Sequence, residues 1–151
     1  MKRGFTMIEL VFVIIVLGIL ASVAVPRLVG NRDDAEIVKA KTVVSSVRSG
    51  IALKHQELLM GGSNTYPSNL EDDTDSKDVC TSSSKKLFQY VLGQPVVAKS
   101  GNAGWTCDGN VYTFTLGSRS ATYTYYPTAS GDRKKGDFYC TDGDLCDVLD
   151  K

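Results

Sequence analysis

Glu9 is the one charged residue at the front of an otherwise apolar run, just behind the basic tetrapeptide Met1-Lys2-Arg3-Gly4. A carboxylate held in hydrocarbon costs on the order of 3 kcal/mol at a helix centre and less near an end, so this acid needs a cationic partner at its own depth. Four cysteines, Cys80, Cys107, Cys140 and Cys146, are the second chemical resource. In a small exported domain they fit an oxidising compartment and two disulfides. Four thiols allow three connectivities; the reading favours Cys80 with Cys107 and Cys140 with Cys146, the second closing a small loop. Zinc is disfavoured, because the five residues between Cys140 and Cys146 exceed the spacing of a structural zinc knuckle and His55 is the only histidine.

Other polar groups carry less chemistry. Asp142, Asp144 and Asp147, with Asp132 or Asp137 as further donors, are weak calcium candidates, but the full spacing of a helix-loop-helix calcium site is absent. A solvated turn is the preferred reading there, and no cofactor is assigned. Arg133-Lys134-Lys135 is a compact basic loop able to touch phosphates. The chain as a whole has 17 basic and 17 acidic residues, and a small negative excess once Lys2 and Arg3 are set aside. Nucleic-acid binding driven by overall charge is therefore unsupported, and nucleic acid stays an open partner only through that local patch. His55 is the sole side chain with a near-neutral ordinary pKa, and neither a nucleophile elbow nor a phosphate loop accompanies it. The chain is read as no enzyme, with His55 near a helix C-terminus, where a cationic ring suits the dipole.

The elements that must position these residues follow from hydrophobic patterning. Phe5 to Val25 reaches roughly 31 Å as a helix at about 1.5 Å per residue, close to the ~30 Å thickness of a hydrocarbon core. Beyond it Ile37, Ala40, Val44, Val47, Ile51 and Leu58 form a helical stripe, while Thr42, Ser45, Ser49 and Gln56 lie opposite. The helix should end at about Met60, where Gly61-Gly62 supplies the stop. Pro26 removes a helical donor and crowds the preceding turn, which predicts a kink or local melting between Ser22 and Pro26.

From Gly61 to Gly104 the chain reads as a connecting region with one short helix, Lys85 to Leu92, and a solvated acidic loop at Glu71-Asp72-Asp73 with Asp75. From Trp105 onward the period changes to two. Trp105–Cys107, Val111–Leu116, Ala121–Tyr126 and Phe138–Cys140 are the predicted strands, with a tight turn at Asp108-Gly109-Asn110 and another through Gly117 to Ser120. An antiparallel sheet laid on the helical stripe would bury both apolar surfaces.

Gly4-Phe5-Thr6-Met7-Ile8-Glu9-Leu10, with its basic leader and long apolar continuation, resembles the signal of type IV pilins and of the pseudopilins of type II secretion and competence systems. Counted from Phe5, Glu9 is the fifth residue, where that signal has its glutamate. The resemblance implies cleavage between Gly4 and Phe5 by a prepilin peptidase, N-methylation of Phe5, and an α+β pilin-like fold in which a long N-terminal helix packs on a small antiparallel sheet. The chain then divides into a leader (1–4), a transmembrane and filament-core helix (5–25), an amphipathic helix (26–60), a connecting region (61–104) and a β-sheet head with its C-terminal loop (105–151). Pro26 too fits the pilin pattern.

The implied function is that of a structural subunit of a pilus-like filament or a secretion or competence pseudopilus. Its implied partners are copies of itself, other pilins, the peptidase and an inner-membrane assembly platform. Glu9 would pair with the Phe5 amine of a neighbour. Lys2 and Arg3 place the N-terminus in the cytoplasm by the positive-inside rule. The protein would cross the bacterial inner membrane once, its head periplasmic, before entering the filament. The rival reading is a secreted or anchored extracytoplasmic binding domain with an ordinary signal, cut after Ser22-Val23-Ala24.

Overall fold

The computed structural model describes residues 6–71, 86–99 and 101–151, and the side chains of all of these except 24–31. It contains a long helix α1 (Met7–Met60), a two-stranded hairpin of β1 (Lys86–Leu87) and β2 (Val96–Val97), and four further strands. These are β3 (Ala103–Asp108), β4 (Val111–Leu116), β5 (Arg119–Tyr126) and β6 (Asp137–Asp142), followed by a short helix α2 (Cys146–Leu149). The four strands form an antiparallel meander in the order β3-β4-β5-β6. The arrangement is the α+β, pilin-like one that the sequence predicts. By its internal contacts the chain separates into two compact units, Met1–Ala35 and Glu36–Lys151, so α1 belongs to both.

α1 ends where the glycine pair predicts. The Gly62 N–H donates to the Leu59 carbonyl at 3.0 Å and the Ser63 N–H to that of Leu58 at 2.9 Å. Gly62 sits at φ 86°, the left-handed conformation that this double hydrogen bond requires.

In the second unit, Ala40, Val44, Val47 and Ile51 are buried and Ile37 is half-buried, which is most of the predicted stripe; Leu58 is only half-buried. The same core takes Tyr112, Phe114 and Leu116 from β4 and Ala121, Tyr123 and Tyr125 from β5, the alternate residues that a period of two assigns to one face. Gly50 is buried in α1 because a Cβ there would collide with the Val91 carbonyl oxygen. The turn at Gly109-Asn110 forms as predicted, with Gly109 at φ 56°. β3 begins two residues before Trp105 and β5 two residues before Ala121, which narrows the second turn to Gly117-Ser118.

Two expectations about the connecting region are corrected. Of the expected Lys85 to Leu92 helix, the described residues from Lys86 onward are not helical: Lys86 and Leu87 pair with Val97 and Val96, and Phe88 turns the chain at φ 61°, the one non-glycine residue with positive φ among those described. The spacing of Leu87, Phe88, Val91 and Leu92 suits a helix, but a strand followed by a sharp turn also drives Leu87, Phe88 and Val91 into the core. The Phe88 carbonyl accepts the Leu92 N–H at 2.8 Å and the Val91 N–H at 3.2 Å, a single turn that does not continue as a helix. Phe88 then meets Tyr112 at 4.6 Å and, edge to face, Trp105 and Phe138, each at 5.9 Å between ring centroids. Burial of this aromatic cluster offsets the steric cost of the left-handed backbone.

The second correction concerns Glu71, which is only 5% exposed rather than part of a solvated loop. Its Oε2 accepts the Phe88 N–H at 3.0 Å, so the carboxylate fixes the strained turn. Oε1 and the Tyr112 hydroxyl are neighbours but complete no hydrogen bond of good geometry. Burial pushes the Glu71 pKa up, against the opposing pull of the Tyr112 hydroxyl and the Phe88 N–H. Asp72, Asp73 and Asp75 lie outside the described residues.

Candidate functional site

Helices begin with backbone N–H groups that have no carbonyl to meet, and α1 satisfies two of them with Thr6 and Glu9. The Glu9 N–H donates to Thr6 Oγ1 at 3.3 Å, while Glu9 Oε2 accepts the Thr6 N–H at 3.2 Å and the Thr6 hydroxyl at 3.1 Å. This reciprocal pair is a capping box, and the carboxylate also lies in the first turn, where the helix dipole favours negative charge. The spacing Thr-x-x-Glu announces the motif, yet a reading that treats Glu9 only as an acid in search of a counter-ion passes over it. Glu9 is exposed, so its carboxylate is reachable as well as held.

Behind the cap, every described side chain from Met7 to Val23 is exposed, including Ile8 at 78% and Phe12 at 68%. The residues are apolar on all sides of the helix, a pattern stable only when lipid or other helices surround it. Among the described residues no helix is long and apolar enough to cross a membrane. Met7 to Val23 covers roughly 25 Å at about 1.5 Å per residue, a little short of a hydrocarbon core. The cleavage and methylation residues Gly4 and Phe5 lie outside the described residues. The backbone is helical through Pro26, and its side chain, with the predicted kink, lies outside them too.

Within the head, Cys140 and Cys146 form a disulfide with 5.7 Å between their Cα atoms, in the pairing the sequence favours. Cys107 is also disulfide-bonded; its expected partner Cys80 lies outside the described residues. In the Cys140–Cys146 loop Asp144 is tied to the start of β5. Its Oδ1 accepts the Ser120 N–H at 2.9 Å and Oδ2 faces Arg119 Nε at 3.4 Å, and the Ser120 contact, then Arg119, hold its pKa below the usual carboxylate range. Among the described residues no three His, Cys, Asp or Glu side chains are grouped to hold a metal ion, so Asp142, Asp144 and Asp147 are not brought together as ligands. Gly143, at φ 111°, lets this loop press on the backbone of Ser120 and Ala121.

The C-terminus is fastened to α1 by Arg48, which donates to the Phe138 carbonyl at 3.1 Å and to Asp150 at 2.8 Å. Tyr123 donates its hydroxyl to the same Asp150 oxygen at 3.0 Å. Burial, then Asp150, pushes the Tyr123 pKa up, so this phenol stays a donor. Arg48 thus joins helix, β6 and the segment after α2. In the basic loop, the Arg133 guanidinium lies 3.5 Å from the Tyr139 ring centroid. Near the end of α1 the His55 ring stacks on Tyr66 at 3.9 Å and its Nδ1 hydrogen-bonds the Thr65 carbonyl at 2.8 Å.

The structure thus joins an α+β head to a helix that is capped at its start and whose described leading residues are almost all apolar and all exposed. The model of the prokaryotic N-terminal methylation motif matches residues 1–25. In its N-terminal part the chain is similar to type II secretion pseudopilins and to a type IV pilin. It is 39% identical over 67 residues to type II secretion system core protein G of Pectobacterium carotovorum subsp. carotovorum, covering 44% of this chain and 40% of that protein. It is 38% identical over 50 residues to the core protein G of Escherichia coli (strain K12), 33% of this chain and 34% of the relative. A type IV narrow pilus major component of Thermus thermophilus is 43% identical over 51 residues, 34% of this chain and 44% of its own. The chain spans less than half the length of these relatives. No solved structure matches it.

Proposed function

We propose that this protein is a structural subunit of a pilus-like filament or secretion pseudopilus, without catalytic activity of its own. The observation that carries the reading is the pairing of the methylation motif with a helix whose Met7 to Val23 side chains are all exposed. A prepilin peptidase would cut after Gly4, and the amine of Phe5 would be methylated. The precursor would sit in the inner membrane with its head outside. The apolar half of α1 would then leave lipid for a bundle of the same helices from neighbouring copies and other pilins, drawn out by an assembly platform.

In that bundle Glu9 would meet the Phe5 ammonium of an adjacent subunit. In low dielectric an unpaired charge is costly, so only a stagger that matches the two charges is favourable. The Thr6 cap uses Oε2 of Glu9, which leaves Oε1 to face the neighbour. Subunits related by a rotation that does not close build a helical filament.

The test is a mass measurement on the mature chain together with assembly of a variant. A chain beginning at methylated Phe5, and a Glu9→Val variant that is cleaved but forms no filaments as the only subunit, is the expected result. A mature chain beginning at Val25 overturns the reading in favour of a secreted domain. Normal filaments from Glu9→Val overturn the charge pairing alone.

A further inference from the structure

The head has an open groove of 530 Å³ that the proposed function leaves unused. Half-buried Tyr66, Tyr90 and Pro127 form its apolar surface, exposed Ser68 and Thr128 offer hydroxyls, and Lys135 is the one charged side chain among the described residues that line it. The volume lies within the range of small-ligand sites, and the mixture of flat apolar surface and a few polar groups is what such sites use.

The walls are fixed before any ligand arrives. The Tyr125 hydroxyl donates to the Pro67 carbonyl at 2.7 Å, and His55 holds both the Tyr66 ring and the Thr65 carbonyl, so this loop is tied to β5 and to α1. On the other side Gly136, at φ 87°, packs so closely on Tyr66 that a Cβ would collide with the ring. Its N–H donates to the Tyr126 carbonyl at 2.7 Å. That contact places the preceding residue, Lys135, with its ammonium 5.9 Å from the Tyr66 centroid. Among the described residues Lys135 makes no ion pair, whereas Lys54, over Tyr90, is paired with Glu57 at 2.9 Å.

We propose that this groove binds an acidic saccharide. The C–H faces of a sugar ring would lie on the tyrosine and proline surfaces, its hydroxyls would meet Ser68 and Thr128, and its carboxylate would pair with the unpaired Lys135 ammonium. Two other occupants fit less well. An extended peptide gains affinity from main-chain hydrogen bonds, and Pro67 and Pro127 remove two donors from the lining. A single-stranded nucleic acid needs a line of cations along its backbone, and the groove has one.

The experiment is calorimetric titration of the full chain in detergent micelles with a hyaluronan tetrasaccharide, which alternates uronic acid and N-acetylglucosamine. Binding with a Kd of about 1 mM or tighter, weakened about tenfold or more by Lys135→Gln and abolished by Ser68→Trp, is the expected result. Neutral chitotetraose should bind more weakly than the acidic sugar. Both substitutions are at exposed positions, and an unchanged thermal melt shows that the head is intact. Absence of binding to the wild type, equal affinity in Lys135→Gln, or tighter binding of the oligonucleotide dT4 than of the saccharide would each overturn the proposal. Filament assembly does not enter the measurement, so its outcome is independent of the filament reading.

Discussion

α1 carries two halves with opposite relations to their surroundings. From Met7 to Val23 apolar residues occupy every side of the helix and all are exposed, whereas Ala40, Val44, Val47 and Ile51 form one stripe that is at most 2% exposed. The difference teaches what each half is for. A stripe can be covered by one partner, and the sheet of the same chain supplies it. A helix apolar all round cannot be covered by a single sheet face, so its burial must come from lipid or from other chains.

The comparison breaks most sharply when a polar side chain is placed in each half. Val47→Asp should destabilise the head by on the order of 4 kcal/mol, because the buried carboxylate has no counter-ion. Ile14→Asn should leave head stability within about 0.5 kcal/mol and alter only membrane insertion or assembly. Urea unfolding followed through the buried Trp105 separates the two, and similar midpoint shifts would erase the distinction between the halves. Replacing Cys140 and Cys146 together with serine should cost the head roughly 2 kcal/mol, as expected for a short closed loop, while helix content in Met7–Val23 stays constant.

Smaller effects sharpen the contrast between the two carboxylates. Glu71 is buried and its pKa is raised, so the folded state keeps a proton that the unfolded chain has lost. Its contribution to stability is full below the ordinary value of 4.5 and falls away as pH rises through the folded-state pKa. Glu71→Gln should remove that decline and stabilise the head at neutral pH by about 1 kcal/mol, read from urea midpoints on either side of the window. A wild-type midpoint that rises across the same window would contradict the burial argument. Thr6→Val, which removes the cap from Glu9, should cost the start of α1 about 1 kcal/mol, seen as faster amide exchange at Glu9 and Leu10 with the head unaffected.

Much of this was legible in the sequence because the signals are local. Gly61-Gly62 needs only its own backbone freedom to end a helix, and the alternation of Tyr112, Phe114 and Leu116 needs only the pleat of a strand. The Thr6 and Glu9 cap was equally local, and was hidden by the more conspicuous question of why an acid precedes an apolar run. The Leu87–Leu92 segment was ambiguous for a different reason. Its spacing satisfies a helix and a strand with a turn alike, and only pairing with Val96 and Val97 decides between them. Glu71 looked like the first of several solvated acids; its burial depends on Phe88 offering an N–H from a strained turn. Nor does any local pattern predict that Tyr66, from the loop after α1, is clasped by His55 and Gly136.

The sequence by itself determined that the chain would start with an apolar rod bearing one acid, continue as an amphipathic helix, and finish as a disulfide-bearing antiparallel sheet, because periodicity and glycine placement act over a few residues. Tertiary structure decided which charges are held and by what. Arg48 reaches Asp150, Glu71 is buried on Phe88, and Lys135 is left without an ion pair among the described residues at a groove, since these outcomes depend on residues far apart in the chain that only packing brings together.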